Sequence, residues 1–443
     1  MKIQLSEHFT YKKLLRFTIP SVIMMVFSSI YGVVDGVFVS NYAGSGPFAA
    51  INLIMPFLMV LGAIGFMIGT GGSALVACTL GMGDPKKANE TFSLLIYVLI
   101  GMGIVFTGIG EALLAPVSRF LGADDSMMPY CVSYGRIVLI GLVPFMLQNT
   151  FQSFLITAER PQLGLYVTIA AGLTNIVLDA LLVGGFQMGV EGAAAATVIS
   201  QCVGGLIPLF YFVFPNNSTL HLGRTALDLP AIVKASTNGA SEFMSNISMS
   251  IVTMLYNWQL MRLMGSDGVA VFGVIMYVNF IFISIFLGYS IGSAPIVGFH
   301  YGARHQDELK GLLRKSLTLI AVTSIILTVA ALLLAKPLSI IFVSYDQELL
   351  DITTRAFSIY SISFLLTGFN IFASSFFTAL NDGFTSAVLS FGRTLIFEVI
   401  AVILLPMLLG VDGVWSAVIL AELLAMGLSM ICFIRNRKRY GYG

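Results

Sequence analysis

Residues 44–55 read GSGPFAAINLIM and residues 265–276 read GSDGVAVFGVIM, 221 residues apart in a chain of 443. The same offset recurs farther along. Gly71, Val76 and Gly81 lie over Gly292, Val297 and Gly302, Thr157-Ala158 lies over Thr378-Ala379, and Gly189-Val190-Glu191-Gly192 lies over Gly410-Val411-Asp412-Gly413. Self-similarity at one fixed spacing over half a chain marks a duplicated unit. The match runs without gaps from the second apolar segment onward, and it predicts two units, residues 1–221 and 222–443.

What each unit consists of follows from composition. The chain is 57% hydrophobic and only 10% charged, with a mean hydropathy of +0.92, whereas soluble proteins carry about 25% charged residues. Crossing the hydrocarbon core takes about 20 apolar residues. Twelve such stretches begin near Leu14, Phe48, Thr91, Tyr130, Leu163, Gly192, Ile232, Val269, Ser316, Ala356, Phe384 and Val414. Placing the N-terminus in the cytoplasm puts seventeen of the 23 basic residues inside and five outside, with Arg393 within a span. The positive-inside rule therefore predicts both termini cytoplasmic and an even number of spans. The expected fold is an all-α integral membrane protein, with twelve transmembrane helices in two six-helix lobes. Six spans per unit give the lobes one orientation, so the pseudo-two-fold axis relating them runs along the membrane normal.

A charged group within the bilayer is costly, so each intramembrane carboxylate is a functional candidate. Asp35 lies in the first span, fifteen residues after Pro20, which is expected to kink that helix. Asn175 and Asp179 sit four residues apart on one face of the fifth span, and Thr197 in the sixth offers a hydroxyl at comparable depth. Together they outline a pocket for a proton or a small cation, with Asp35, Asn175, Asp179 and Thr197 as coupling residues. In the second half Glu242 and Glu398 are further carboxylates, and Arg393 stands five residues before Glu398, where the two would neutralise each other. At the 221 offset Asp35 meets Tyr256, Asn175 meets Ile396 and Asp179 meets Ile400, so the halves share a scaffold but not a site. The 21 Met and 34 Phe residues suit a soft binding surface, although packing and lipid contact account for most of them.

The order and spacing of these features resemble the bacterial multidrug and toxic compound extrusion (MATE) transporters over essentially the whole chain. The resemblance is carried by the six-plus-six spans, Pro20 with Asp35, and Asn175 with Asp179. GVEGAAAAT from Gly189, its echo GVDGVWSA from Gly410, and FLITAERPQ from Phe154 add to it. It implies a secondary antiporter that exports small organic cations in exchange for H+ or Na+ by alternating access. The first-lobe polar residues would then be the ion site, and ion binding there would bend the first helix near Pro20. Relatives with a second-lobe sodium site pair a seventh-span glutamate with a tenth-span aspartate. Here Glu242 matches the former, but Asn370 stands in the tenth span, so coupling through the first lobe is favoured. Glu242, Asn370 and Glu398 are the candidate substrate-cavity residues.

The composition argues against other classes. A lipid or polysaccharide flippase is the nearest alternative, but such cavities favour basic linings, and Arg393 is the lone basic residue within a span. There is no HExxH, no phosphate-cradling GxxxxGK[ST] and no buried Ser/His/Asp set, so no enzyme is expected. Cys78, Cys131, Cys202 and Cys432 fall singly in apolar segments and form neither a metal site nor a disulfide framework. No cofactor beyond the coupling ion is expected, nor any nucleic-acid or obligate protein partner. The expected location is the bacterial cell membrane, where the bilayer itself is the chain's partner.

Overall fold

In the computed structural model, residues 3–42, 45–344 and 346–442 are described, and twelve rods account for nearly all of them. The first lobe comprises α1 (Tyr11–Tyr42), α2 (Ser45–Gly81), α3 (Pro85–Phe120), the pair α4 (Met128–Ile140) and α5 (Leu142–Thr157), α6 (Pro161–Leu178) and α7 (Gly189–Val213). A π-helical segment, Asp179–Gly185, extends α6. The second lobe opens with α8 (Leu229–Asn238) and α9 (Ala240–Met264), followed by α10 (Ser266–Gly302) and α11 (Gln306–Val343). It continues with α12 (Gln347–Ser361), α13 (Phe364–Ala379), α14 (Gly383–Phe391), a second π-helical segment at Gly392–Phe397, α15 (Glu398–Leu409) and α16 (Val411–Tyr440).

Nine of the described helical stretches are long and apolar enough to cross a bilayer alone, and two more cross as bent pairs. Those pairs, α4 with α5 and α12 with α13, turn by 55° and 48° at equivalent places in the two lobes. The twelfth rod is α9, 25 residues long. It carries Glu242, Asn246, Asn257 and Gln259, of which Gln259 is buried and donates to the Val402 carbonyl of α15 at 2.9 Å. The architecture is the expected all-α membrane fold, twelve helices in two six-helix lobes.

The duplication is visible in backbone conformation. Six of the ten positive-φ residues among those described fall in pairs: Gly83 with Arg304 and Gly189 with Gly410, each 221 residues apart, and Glu159 with Asn381, 222 apart. The turn after α5 shows why. Ala158, Glu159 and Arg160 donate to the carbonyls of Phe154, Ile156 and Leu155, and Leu380, Asn381 and Asp382 donate to those of Phe376, Thr378 and Phe377. The register therefore slips by one residue around α5 and recovers by Gly189, so the repeat is not gap-free. Asn370 consequently corresponds to Gln148, not to Asn149.

The pseudo-two-fold axis passes between α2 and α10. A methyl group built on Gly81 would meet the Phe299 carbonyl, and one on Gly302 would meet that of Cys78, and both pairs are related by the 221 offset. Gly71 closes on Ala235 and Gly239, while Gly292 closes on Thr18 and Ser21, again as a symmetric pair. Only glycine allows backbones this near each other, as in other tightly packed membrane helices. These approaches join the lobes on the face that bears the chain's N-terminus. Residues 3–10 strap that face from above. The Leu5 amide donates to Glu159 of the first lobe at 2.9 Å, the Phe9 amide donates to Glu308 of the second at 2.9 Å, and Leu5 and Phe9 are fully buried.

Candidate functional site

The first-lobe site is set by two helices in contact, α1 and α6. In α1 Tyr31 and Asp35 share a face one turn apart. Pro20 removes one donor from the ladder, yet α1 runs through it as a continuous helix. In α6 Asn175 occupies the last full turn, and Asp179 begins the π-helical segment. A π turn widens the helix and re-aims side chains, and such turns recur at functional sites.

The structure brings three of the four expected coupling residues together. The Asp35 carboxyl meets the Asp179 carboxyl and the Asn175 side chain. Asp179 is 0% exposed, and neither of its oxygens has a hydrogen-bond partner, while Asn175 Oδ1 and Asp35 Oδ1 are also buried and unbonded. Four acceptor atoms therefore converge without a donor. Two adjacent buried carboxylates cannot both remain charged unless a cation joins them, so the arrangement suits a shared proton or one small cation. Tyr134, fully buried, lies within electrostatic reach of both carboxylates, and Tyr31 is tied to Gln148. Thr197 lines a cavity of about 40 Å³ together with Tyr134 and Gln201, and Tyr134 is what links that cavity to the carboxylates.

The sequence model of the MatE family matches residues 20–181 and again 243–404, one copy in each half. The chain belongs to the MatE family. It is 24% identical over 438 residues to the multidrug export protein MepA of Staphylococcus haemolyticus, an alignment covering 97% of this chain and 95% of that protein. Among solved structures it overlays a MATE protein in the straight conformation with a TM-score of 0.91, at 23% identity, covering 98% of this chain and 97% of the other. It overlays an outward-facing multidrug resistance MATE transporter equally well, with a TM-score of 0.91 at 23% identity, covering 98% and 96%. The MatE fold thus accounts for the whole chain.

The second copy of the MatE unit carries a different polar cluster on equivalent helices. Tyr256, the counterpart of Asp35, donates its hydroxyl to Glu398 at 3.3 Å. Arg393 does not pair with Glu398 as its spacing suggests. It lies on the π-helical segment and reaches Glu422 of α16 at 3.1 Å. Asn370 donates to the same carboxylate at 2.6 Å and accepts from Ser429 at 3.0 Å. With its amide satisfied and 3% exposed, Asn370 takes part in the packing of α13 on α16. Glu242 is half-buried in the first turn of α9 and feels the charge of Arg393. Glu422, absent from the expected site, was within reach of the same rule, being a lone carboxylate in the apolar stretch AVILAELLAMG. Among the Met and Phe residues, Met24, Phe282 and Phe286 are buried packing, and Met59 and Phe280 are exposed on the helix surfaces.

Proposed function

We propose that this MatE protein is a secondary antiporter of the bacterial cell membrane that exports organic cations in exchange for protons or sodium. Lobes 1–221 and 222–443 rock about their shared axis, and both termini lie in the cytoplasm. The observation that carries the reading is the contact of Asp35 with Asp179 and Asn175, in which both Asp179 oxygens, Asp35 Oδ1 and Asn175 Oδ1 are buried without a donor. Loading the pair with a proton or Na+ removes the charge conflict between α1 and α6, and unloading restores it, so ion occupancy biases how these helices pack. Thr197, in the cavity that Tyr134 shares, would offer a further oxygen, and Glu242 and Glu398 supply negative charge to the second lobe for a cationic substrate. The glycine crossings on the N-terminal face support an outward-facing state, and the likeness to proteins named for multidrug export supports the substrate class. The engagement of Arg393 by Glu422 argues against an anionic lipid cargo, because the one basic residue within a span is already neutralised.

The test is ethidium efflux from reconstituted vesicles, with proton and sodium gradients imposed separately. Efflux under either gradient, abolished by Asp35→Asn in a folded and inserted protein, supports the proposal and names the ion. Undiminished gradient-driven efflux by Asp35→Asn and Asp179→Asn removes the pair from coupling. No efflux under either gradient removes organic cations as the cargo.

A further inference from the structure

A cleft of about 840 Å³ opens on the N-terminal face of the first lobe, between the start of α1, the start of α6 and the end of α7. Arg16, Pro20, Glu159, Arg160, Tyr166 and Phe210 are among the residues lining it. Arg16 makes no ion pair among the described residues. Arg160 donates through Nη2 to the Asn217 carbonyl at 2.7 Å, but its Nε is buried without a hydrogen-bond partner. The neighbouring carboxylate, Glu159, is already engaged by the Leu5 amide. Arg160 also occupies the capping position of α6, where no side chain accepts from the first turn, so the positive end of that helix adds to the two cations.

The second lobe provides an internal comparison. Asp382 stands where Arg160 does, caps α14 through the Thr385 amide and accepts from the Tyr440 hydroxyl at 2.7 Å. Tyr440 and Tyr442 pack beside this acid against Phe377 and Phe376. One lobe places an acid here beside its own tail, while the other leaves the position open and basic.

We propose that the first-lobe cleft binds the phosphate of an acidic phospholipid from the leaflet on that face, held by Arg16 and Arg160. The choice of a lipid over a soluble anion rests on the cleft's wall. Tyr166 and Phe210 are 64% and 54% exposed beside the arginines, and rings at headgroup depth lie naturally along acyl chains. A bound headgroup would tie α1 to α6 next to Pro20.

Native mass spectrometry of the purified, delipidated full-length protein tests this, titrating phosphatidylglycerol, phosphatidylcholine and inorganic phosphate separately. The wild-type protein is expected to take up one phosphatidylglycerol in preference to phosphatidylcholine. Each basic residue near an anionic lipid surface is worth about fivefold, so Arg16→Gln with Arg160→Gln should weaken that uptake roughly thirtyfold. Arg16→Lys with Arg160→Lys should retain most of it, as should Lys310→Gln, which removes an exposed charge on the same face outside the cleft. Equal uptake of the two lipids overturns the proposal, as does unchanged phosphatidylglycerol affinity in the double Gln variant. Displacement of the lipid by millimolar phosphate overturns the lipid assignment in favour of a soluble anion.

Discussion

Gly81→Ala places a methyl group where α2 meets α10. The new carbon would stand 2.9 Å from both the Phe299 carbonyl carbon and the Ala303 nitrogen, and nearer still to the Phe299 oxygen. Nonbonded carbons settle at about 3.5–4.0 Å, and the obstructing atoms are backbone, so no rotamer change relieves the clash. The helices must part by roughly 1 Å. Overpacking of this kind costs about 1–3 kcal/mol, which shifts the balance between joined and parted lobes by about fivefold to 150-fold. Gly302→Ala makes the symmetric clash with Cys78, whose carbonyl carbon would lie 2.8 Å away. Cys78 is itself the reporter, being buried at this crossing. With Cys131, Cys202 and Cys432 replaced by Ala, its alkylation rate by a maleimide measures how often the lobes part. Both glycine variants should raise that rate by at least about fivefold. Gly101→Ala on α3, where a methyl meets nothing within 4 Å, should leave it unchanged. Wild-type alkylation in Gly81→Ala would refute the view that this crossing is what joins the lobes.

Three other outcomes follow from the same geometry. Glu422→Gln removes the carboxylate that pairs directly with Arg393 in a largely buried site, leaving it only the through-space charges of Glu242 and Glu398. It should cost roughly 3 kcal/mol or more in denaturant unfolding in detergent, and a loss under about 1 kcal/mol would mean the pair contributes little. Burial pushes the Asp382 carboxyl up, but hydrogen bonds from Thr385 and Tyr440 and the charge of Arg439 outweigh it, holding the group below the ordinary carboxylate range. Its stabilising contribution is therefore present above about pH 4 and lost as pH falls through the folded value. The gap in thermal midpoint between wild type and Asp382→Asn should narrow on acidification below about pH 4, and a gap that widens would contradict the sign. Phe9→Ala removes a fully buried ring from the strap across the lobes. It should speed tryptic cleavage at Lys12 and Lys13 several-fold, and unchanged cleavage would show the strap held by its polar contacts alone.

Much of this protein was legible in its residues because the bilayer imposes its terms locally. Length of apolar stretch decides a span, and the cost of a charge in hydrocarbon marks Asp35, Asp179, Glu242 and Glu398 wherever they fall. The pairing of Asn175 with Asp179 needed only the helical period. Other features had no local signal. Arg393 has Glu398 five residues away, yet its partner is Glu422, 29 residues along the chain, because the π-helical segment turns the guanidinium toward α16. Asn370 looked available and is spent on the same carboxylate. The one-residue slip around α5 is invisible to an ungapped comparison and shows only in which carbonyl each turn amide meets.

By itself, then, the sequence determined the twelve spans, the duplication and the polar residues that the membrane interior must accommodate, since each depends on the transfer of single residues or short helices out of water. The tertiary structure alone decided that Arg393 and Asn370 share Glu422, that α2 and α10 cross on paired glycines, and that one lobe keeps a basic cleft where the other places an acid. Those outcomes rest on the packing of helices from tens to more than two hundred residues apart, where a shift of about 1 Å separates contact from clash.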